Sequence, residues 1–258
     1  MKKAKTFYYT NELEDEFSSA KIKPRKIDEN YKYKRNTFWN LCSKLIQNVF
    51  SMPIKIIYAK VKFKIKYVGK EKFKDYKNQG YFIYANHTQT FADTFIPSLA
   101  NYPKRNFFIV NPENISVKGA GWIIELLGAI PVPGNLKASK NFLETIRKRI
   151  KEKNSITIYP EAHIWPYYTK IRNFKDVSFK YPVELNCPIF TLTNTYQKYK
   201  KNKIQIVSYI DGPFFSDDGL SLKEKTQNLR NKAYRAMVER SKQNNIEHIK
   251  YIKKVEFE

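Results

Sequence analysis

Hydrophobic and polar positions along the chain follow two patterns that alternate with each other. Short apolar runs with the length of a buried strand recur, and stretches with helical spacing of apolar residues lie between them. The predicted strands cover residues 81–85, 107–110, 156–159, 189–192 and 204–210, and the predicted helices cover 92–101, 120–127, 136–151 and 222–243. Strands alternating with helices predict an α/β fold, with a mainly parallel sheet flanked by helices.

The stretch 38–59 has an amphipathic helical pattern. On one side of this predicted N-terminal helix fall the apolar residues Phe38, Leu41, Cys42, Leu45, Val49 and Met52, and polar residues fall on the other. Such a helix either packs on the core or lies in a bilayer interface. We keep both interpretations, and the clustered lysines favour the second.

Two further segments alternate lysine with apolar residues. The period of two over 62–67 predicts a half-exposed strand, and the tail 246–258 is interpreted as an edge strand or an unstructured end. The chain of 258 residues is therefore divided into three parts. These are a leader and amphipathic membrane-contact segment (1–61), an α/β core (62–211), and a C-terminal helix and tail (212–258).

Charge adds a preference for anionic partners. Lysine and arginine number 48 against 24 acidic residues, a net charge of +24, which attracts nucleic acid or an anionic lipid surface. No run approaches the ~20 apolar residues of a spanning helix. Acidic residues occupy the place where a signal peptide needs an apolar run, and the two cysteines form no metal or disulfide motif. We expect a cytoplasmic protein, peripheral on the inner face of the cell membrane.

Candidate chemistry begins where the strand 81–85 ends. His87 follows this strand directly and Asp93 opens the next predicted helix, so the two side chains can meet across the turn. A carboxylate that fixes the imidazole tautomer leaves the other ring nitrogen free to accept a proton. No GxSxG motif supplies a nucleophile. The pair is therefore predicted to activate a hydroxyl of the substrate.

A second histidine lies after another predicted strand. His163 follows Glu161 at the end of strand 156–159, in a position that suits either chemistry or an ordinary structural role. His87, Asp93, Glu161 and His163 together lack the spacing of familiar zinc sites, so no metal and no cofactor is expected.

Several short motifs in a fixed order resemble the four blocks of the glycerolipid acyltransferases, whose best-known bacterial members are the 1-acyl-glycerol-3-phosphate acyltransferases. The resemblance covers about residues 62–210. It consists of Asn86-His87 with Asp93, the run 126–132 (Leu-Leu-Gly-Ala-Ile-Pro-Val), Tyr159-Pro160-Glu161, Phe174-Lys175 and Pro188-Ile189.

The resemblance implies a role for each matching residue. His87 would be the general base, Asp93 would orient it, and Glu161 would bind the acceptor. Lys175 matches the lysine of the Phe-Lys pair that follows the Glu161 block in the family. The donor would be acyl-CoA or acyl carrier protein. The acceptor would be the hydroxyl of a lysophospholipid such as 1-acyl-glycerol-3-phosphate, on an anionic membrane surface. The resemblance therefore implies an O-acyltransferase of glycerophospholipid synthesis.

The chain departs from the family pattern on the acceptor side and in the first block. Five residues separate His87 from Asp93, where the family has four, so their hydrogen bond is a prediction of its own. The family's Gly-Thr-Arg after Glu161 is replaced by Ala-His-Ile, which includes His163, and block two lacks its arginine. The candidate cations for a head-group phosphate are then Lys137, Lys170 and Arg172, and the guanidinium can bind two oxygens at once.

Other functions remain open at the level of sequence. A basic nucleic-acid-binding protein would explain the charge, with aromatic residues as stacking faces, but it leaves the His-Asp turn unexplained, so no nucleic acid is expected as a partner. A thioesterase or lipid hydrolase would use the same histidine with water. A family member without catalysis would explain the longer His-to-Asp spacing.

Overall fold

A computed structural model describes residues 5–17, 22–200 and 203–254 of the chain. The strands are β1 Lys5–Tyr9, β2 Lys66–Val68, β3 Tyr81–Ala85, β4 Asn106–Val110, β5 Ala129–Pro131, β6 Ser155–Ile158, β7 Ile189–Tyr199, β8 Lys203–Phe214 and β9 Ile249–Lys253. The α-helices are α1 Thr37–Leu45, α2 Ser51–Tyr58, α3 Ile96–Ala100, α4 Gly121–Leu126, α5 Leu136–Lys151, α6 Lys180–Glu184 and α7 Leu222–Ser241.

The central sheet has the strand order β2-β8-β7-β3-β6-β4-β5. Neighbouring strands are parallel except for β7 and β8, which form a long antiparallel pair. The predicted fold class, a mainly parallel sheet flanked by helices, is confirmed. The carboxyl ends of β3 and its neighbour β6 lie at the same edge, which brings the segments after residues 85 and 158 together.

Buried side chains fill both faces of the sheet because successive residues of a strand point to opposite sides. On one face Phe82 and Tyr84 belong to a cluster with residues of α5 and α7, including Phe142 and Met237. On the other face Tyr81, Ile83 and Ala85 belong to a cluster with residues of α2 and α3. This double burial explains why β3 has an uninterrupted apolar sequence rather than an alternating one.

Residues Thr37 to Phe63 form consecutive helical segments, with π-helical turns at Ile46–Phe50 and Ala59–Phe63 beside α1 and α2. Lys64 has a positive φ of 49° and ends the run. The strand predicted over 62–67 is therefore wrong in its first half. Phe63 and Ala59 are buried four residues apart, which is helical spacing, and the strand is confined to Lys66–Val68.

Most other predicted boundaries coincide with the structure or differ by one or two residues, but β7 extends seven residues beyond its predicted end, to Tyr199, and β8 extends four beyond its own, to Phe214. The strand 81–85 and the helix 136–151 are confirmed to the residue, and Asn135 caps α5 by accepting a hydrogen bond from the Ala138 N–H. The helix predicted over 92–101 is divided into a short 3-10 turn, Ala92–Thr94, and α3, with Phe95 between them. Strand β5 was not predicted, because three residues are too few for a periodic pattern.

The two ends of the described chain meet. Within the tail predicted as an edge strand or an unstructured end, Ile249–Lys253 forms β9, and residues 255–258 lie outside the described part. Strand β9 pairs with β1, not with an edge of the central sheet. Among the described helices, none combines the length and the apolar character needed to cross a membrane.

Candidate active site

The turn after β3 brings the imidazole of His87 to the carboxylate of Asp93. Nδ1 of His87 lies 2.8 Å from Oδ2 of Asp93. The carboxylate is 1% exposed and the imidazole 18% exposed. Nε2 of His87 has no hydrogen-bond partner within the described part of the chain. Because the carboxylate accepts the Nδ1 proton, the ring presents Nε2 as a free acceptor at the open side of the turn.

The longer spacing between His87 and Asp93 is absorbed by backbone hydrogen bonds. Oδ2 of Asp93 accepts from the N–H groups of Thr88 and Gln89, each at 2.9 Å, in addition to the imidazole. Residues 88 and 89 therefore fold around the carboxylate oxygen. The predicted contact of His87 with Asp93 is present in the structure despite the additional residue.

The electrostatics of Asp93 follow from its burial. Burial raises the pKa of Asp93 above its ordinary value of 3.8, while the hydrogen bond from His87 and those from the two backbone N–H groups oppose the rise. A buried carboxylate that stays ionised favours a positive charge on the imidazole beside it. The pair is thus arranged to stabilise an imidazolium when Nε2 takes a proton.

Asn194, on the neighbouring strand β7, supports the second oxygen of the carboxylate. Its Nδ2 lies 3.3 Å from Oδ1 of Asp93, and its own Oδ1 accepts a 2.6 Å hydrogen bond from Ser208 on β8. Asn86 binds the backbone of Asn194 through both ends of its amide, at 2.8 and 3.0 Å. These contacts fix the end of β3, and with it the residue before His87, to the centre of the sheet.

Two tyrosines enclose the turn. The ring of Tyr159 stacks on the imidazole of His87 with centroids 4.3 Å apart, and its hydroxyl donates to the backbone carbonyl of Asp93. The hydroxyl of Tyr196 donates to Thr88 Oγ1 at 2.8 Å and accepts from Gln89 Nε2 at 3.0 Å. The rotation of the imidazole is restricted by the Tyr159 ring on one face and by Asp93 at its edge.

Glu161 contacts the histidine segment through the backbone. Its Oε2 accepts from the His87 N–H at 3.0 Å, and its Oε1 accepts from the Arg172 N–H at 2.9 Å. Burial raises the pKa of Glu161 above its ordinary value of 4.5, and the charge of Arg172 opposes the rise. The structure therefore brings Glu161 to His87, where its carboxylate holds the backbone of the turn after β3.

Arg172 lies in the protein interior. Its guanidinium is 3.4 Å from Glu161, stacks 4.8 Å from the centre of the Trp165 ring, and donates to the carbonyls of Glu12 and His163. The side chains of Arg172 and Glu161 are both 0% exposed. As described, this geometry does not leave Arg172 open to a head-group phosphate, the role expected from the sequence.

The remaining predicted binding residues are nearer to solvent. Lys137 at the start of α5, Lys170 and Lys175 are exposed and have no ion-pair partner among the described residues. His163 is partly exposed and its Nδ1 lies 3.5 Å from a carboxylate oxygen of Glu16. Within residues 5–17, 22–200 and 203–254, no cluster of three or more His, Cys, Asp or Glu side chains is arranged to hold a metal ion.

Sequence reasoning missed Asn194, Ser208, Tyr159 and Tyr196 as parts of this site. Asn194 and Ser208 lie in β7 and β8, more than 100 residues after His87, and their partners follow from strand order alone. Tyr159 offered a signal, because it precedes the Pro160-Glu161 pair at a strand end. Tyr196 lies beyond the predicted strand 189–192, in the mostly polar second half of β7, and offered none.

The central part of the chain is similar in sequence to a known protein family. The family model described as Acyltransferase matches residues 64–195, a range that contains His87, Asp93, Glu161, Arg172 and Asn194. No curated protein matches the chain. Among solved structures, that of the 1-acyl-sn-glycerophosphate (LPA) acyltransferase PlsC from Thermotoga maritima aligns with 17% identity and a TM-score of 0.48, covering 81% of this chain and 97% of that one.

Proposed function

Because this chain belongs to the acyltransferase family, which its match over residues 64–195 establishes, we propose that it transfers a fatty acyl group from a thioester to the hydroxyl of a lysophospholipid. The observation that carries the proposal is the imidazole of His87, whose Nδ1 is held by Asp93 while Nε2 stays free. The reaction is placed in glycerophospholipid synthesis, and 1-acyl-glycerol-3-phosphate is the acceptor we expect first.

The proposed mechanism has one base and no acyl-enzyme. Nε2 of His87 removes the hydroxyl proton as the acceptor oxygen attacks the thioester carbonyl carbon. The tetrahedral intermediate collapses with cleavage of the carbon–sulfur bond, and the thiolate leaves with the proton from the imidazolium. Asp93 stabilises the imidazolium through the 2.8 Å contact with Nδ1. General base assistance of this kind contributes about 10² to 10⁴ in rate.

The thiol of Cys187 is not the nucleophile in this mechanism. Cys187 is buried, and burial raises the pKa of its thiol to about 11, so it stays protonated near neutral pH. The substrate hydroxyl is then the nucleophile, in agreement with the chemistry proposed from the sequence. The donor is proposed to be acyl-CoA or acyl carrier protein, because both present an acyl thioester.

Glu161 and Arg172 act in this proposal as positioning residues, since neither side chain is exposed to a substrate. The cations available to a head-group phosphate are the exposed Lys137, Lys170 and Lys175, and the partly exposed His163 is a further polar side chain on this side. A lysine presents a point charge rather than the two-pronged donor of an arginine, which suits a phosphate held in more than one orientation.

The enzyme is proposed to work as a peripheral protein on the inner face of the cell membrane. The helical run from α1 to Phe63 exposes a row of large apolar side chains that a core-packed helix would bury: Phe38, Leu41, Leu45, Val49, Phe50, Ile54, Ile57 and Val61. Its buried positions include the polar Ser43 and Gln47, whose side chains bind the carbonyl of Leu126. An apolar face directed to solvent matches a helix lying in a bilayer interface.

The apolar row is continuous with the catalytic turn. Tyr58 of α2 contacts Phe91, which is 57% exposed and lies between His87 and Asp93 in sequence. Lys44, Lys60, Lys62 and Lys64 lie beside the row, where each adds about 1 kcal/mol of attraction to an anionic leaflet. A lipid acceptor and its acyl donor would then reach His87 from the membrane surface itself.

Vesicle binding tests the membrane surface. The variant Leu41→Glu/Val49→Glu/Ile57→Glu should bind vesicles of mixed zwitterionic and anionic phospholipid at least tenfold more weakly than the wild type. A charge-matched control, Asn48→Glu/Lys60→Gln/Lys64→Gln, changes net charge by the same three units and keeps the apolar row. An equal loss of binding in both variants would mean that charge, and not the apolar row, is responsible for vesicle binding. Salt-sensitive binding to an oligonucleotide in preference to vesicles would instead favour a nucleic-acid-binding protein.

Product analysis tests the reaction. The purified protein, on vesicles that contain single lysophospholipids, is offered acyl-CoA or acyl carrier protein with a labelled acyl chain. The proposal expects the label in a diacyl lipid whose formation depends on the acceptor. Labelled free fatty acid in place of diacyl lipid would instead identify a thioesterase that uses the same histidine with water.

A further inference from the structure

The first and last described segments form a sheet of their own outside the family region. β1 and β9 pair in parallel from Lys5 with Ile249 to Tyr9 with Lys253, and both lie beyond the matched residues 64–195. We call residues 5–17 the N-terminal strap. The strap continues from β1 across the loop of residues 160–173, called here the Glu161 loop.

Aromatic side chains join the strap to the Glu161 loop. Trp165 of the loop is fully buried, with Tyr9 and Phe17 of the strap at ring distances of 4.7 and 5.2 Å and Tyr251 of β9 at 5.0 Å. Trp165 belongs to neither buried cluster of the central sheet. The burial of this tryptophan therefore depends on the strap and on β9.

Polar contacts from the strap end on the same loop. The Trp165 indole N–H donates to the carbonyl of Asp15 at 2.7 Å, and Arg172 donates to the carbonyl of Glu12 at 3.2 Å. Glu16 accepts from the backbone N–H of Ile164 at 3.0 Å. The strap thus supplies acceptors to the loop's tryptophan, to its buried arginine and to its backbone.

The Glu161 loop in turn holds the catalytic segment. The backbone N–H of Trp165 donates to the backbone carbonyl of His87 at 3.1 Å, and the backbone N–H of Tyr167 donates to the backbone carbonyl of Thr88 at 3.0 Å. Glu161 accepts from the His87 N–H. Both backbone groups of His87 are therefore bonded to a loop whose outer side is covered by the strap.

We propose that the N-terminal strap, locked by its pairing with β9, is a positioning element for catalysis. It holds the Glu161 loop, through Trp165 and Arg172, in the arrangement that fixes the backbone of His87. This inference rests on the proposed acyl transfer for its catalytic consequence. Displacing a reacting group by about 1 Å lowers the reaction rate by a factor on the order of 10². Loosening the strap should therefore lower kcat while the protein stays folded.

The test removes the ring contacts of the strap in the full-length protein. Phe17→Ala and the double variant Phe7→Ala/Phe17→Ala take away rings that contact Trp165 and Tyr251. Tyr8→Ala is the matched control, because Tyr8 lies between Phe7 and Tyr9 on the same strand and is 57% exposed. Phe17→Tyr keeps the ring and should restore the wild-type behaviour.

Two readouts are taken on each variant. Hydrogen exchange of the amides of His87, Trp165, Tyr167 and Arg172 should become at least tenfold faster in the alanine variants, while the amide of Ile83 inside β3 stays protected. The value of kcat for acyl transfer should fall by about 10- to 100-fold with little change in KM for the acyl donor. The control and the Phe17→Tyr variant should match the wild type in both.

Two results would overturn the inference. Unchanged exchange in the double variant would mean that the strap does not hold the loop, and faster exchange with unchanged kcat would remove its catalytic consequence. If the double variant fails to fold, Phe17→Ala alone gives the answer by the same two readouts. If the wild type transfers no acyl group to any acceptor, the proposed function fails, while the exchange data still decide whether the strap fixes His87.

Discussion

At the scale of single residues, the site depends on one carboxylate oxygen with three donors. Oδ2 of Asp93 accepts from the His87 ring and from the N–H groups of Thr88 and Gln89. This arrangement explains why five intervening residues are compatible with the contact of His87 and Asp93. The turn is shaped around the carboxylate, so the carboxylate determines both the tautomer and the local backbone.

Replacing Asp93 by asparagine tests this role. An amide has one acceptor oxygen and one donor nitrogen, so it cannot accept from all three groups while Asn194 also donates to it. We expect kcat to fall by about 10² to 10⁴ with KM for the acceptor changed less than threefold, as measured by steady-state kinetics on mixed vesicles. Asp75→Asn, at an exposed acid outside the site, is the control. A variant within twofold of wild-type kcat would mean that Asp93 does not assist His87.

Sequence predicted the local part of the site and not its distant part. His87 and Asp93 were predicted as partners because they share one turn, and Glu161 was expected at the site because it matches the third block of the family that the sequence resembles. The direction of the Arg172 side chain was not predictable, since its burial depends on Trp165, on the strap and on β9. The hydrogen bond from Asn194 likewise requires the strand order.

At the scale of elements, the first part of the run from Thr37 to Phe63, up to Gln47, inverts the usual arrangement of an amphipathic helix, whereas Met52, Ala59 and Phe63 pack into the core. Ser43 and Gln47 face the protein and bind the backbone of α4, while large apolar side chains face solvent. The sequence pattern predicted the helix and its apolar stripe but allowed two directions for that stripe. The strand predicted over residues 62–67 was wrong in its first half, because a segment this short does not distinguish the period of a strand from that of a helix.

Lys55 provides a stability test of how this run packs. Burial lowers the pKa of Lys55 from 10.5 to about 8, and its Nζ lies 3.3 Å from Ser98 of α3. Since the folded state binds this proton less tightly than the unfolded state, the charge is destabilising below pH 8 and the penalty disappears as pH rises towards 10.5. We expect Lys55→Met to raise the free energy of unfolding by about 1–3 kcal/mol at pH 7.

Urea denaturation of the wild type and of Lys55→Met at pH 7 and pH 10 measures this difference, without lipid present. The gain should be largest at pH 7 and small at pH 10. Lys60→Met, at an exposed lysine of the same run, serves as the control for a change of charge alone. A gain that is equal at both pH values would show that Lys55 is not desolvated in the folded protein.

At the scale of the whole molecule, one acid joins three separate elements. Asp211 of β8 accepts from Arg240 of α7 at 2.7 and 2.8 Å and from Lys72, in the short helix before β3, at 3.0 Å. Burial favours a higher pKa for Asp211, but the hydrogen bonds from Arg240 and Lys72 outweigh it and leave the pKa below 3.8. The acid therefore stabilises the fold in its ionised form.

Asp211→Asn should lower the free energy of unfolding by about 1–3 kcal/mol at pH 7, because two cations lose their counter-charge. A carboxyl group whose pKa is lowered in the folded protein contributes its full share to the free energy of unfolding above the ordinary Asp pKa. That share is lost as pH falls through the pKa of the carboxyl group in the folded protein. The stability difference between wild type and variant should therefore shrink below about pH 4. Urea denaturation at pH 7 and pH 3 gives the comparison, and a difference that grows at pH 3 would contradict the account.

The whole molecule also relates charge to location. A net charge of +24 and an apolar row beside the His87 turn are the features from which we propose a lipid-facing surface next to the site of chemistry. Composition alone left nucleic acid and lipid as equal partners. The arrangement of apolar side chains between the lysines is what favours lipid, and it depends on the fold rather than on composition.

The most direct test of the central claim is a single-turnover measurement of acyl transfer by His87→Ala and His163→Ala. Both variants remove one imidazole near the same loop, but only His87 has a free Nε2 and a buried carboxylate on Nδ1. We predict that His87→Ala loses at least 10²-fold in the transfer rate while retaining its fold, and that His163→Ala changes the rate less than tenfold. A folded His87→Ala variant that transfers the acyl group at close to the wild-type rate would contradict the assignment of the general base.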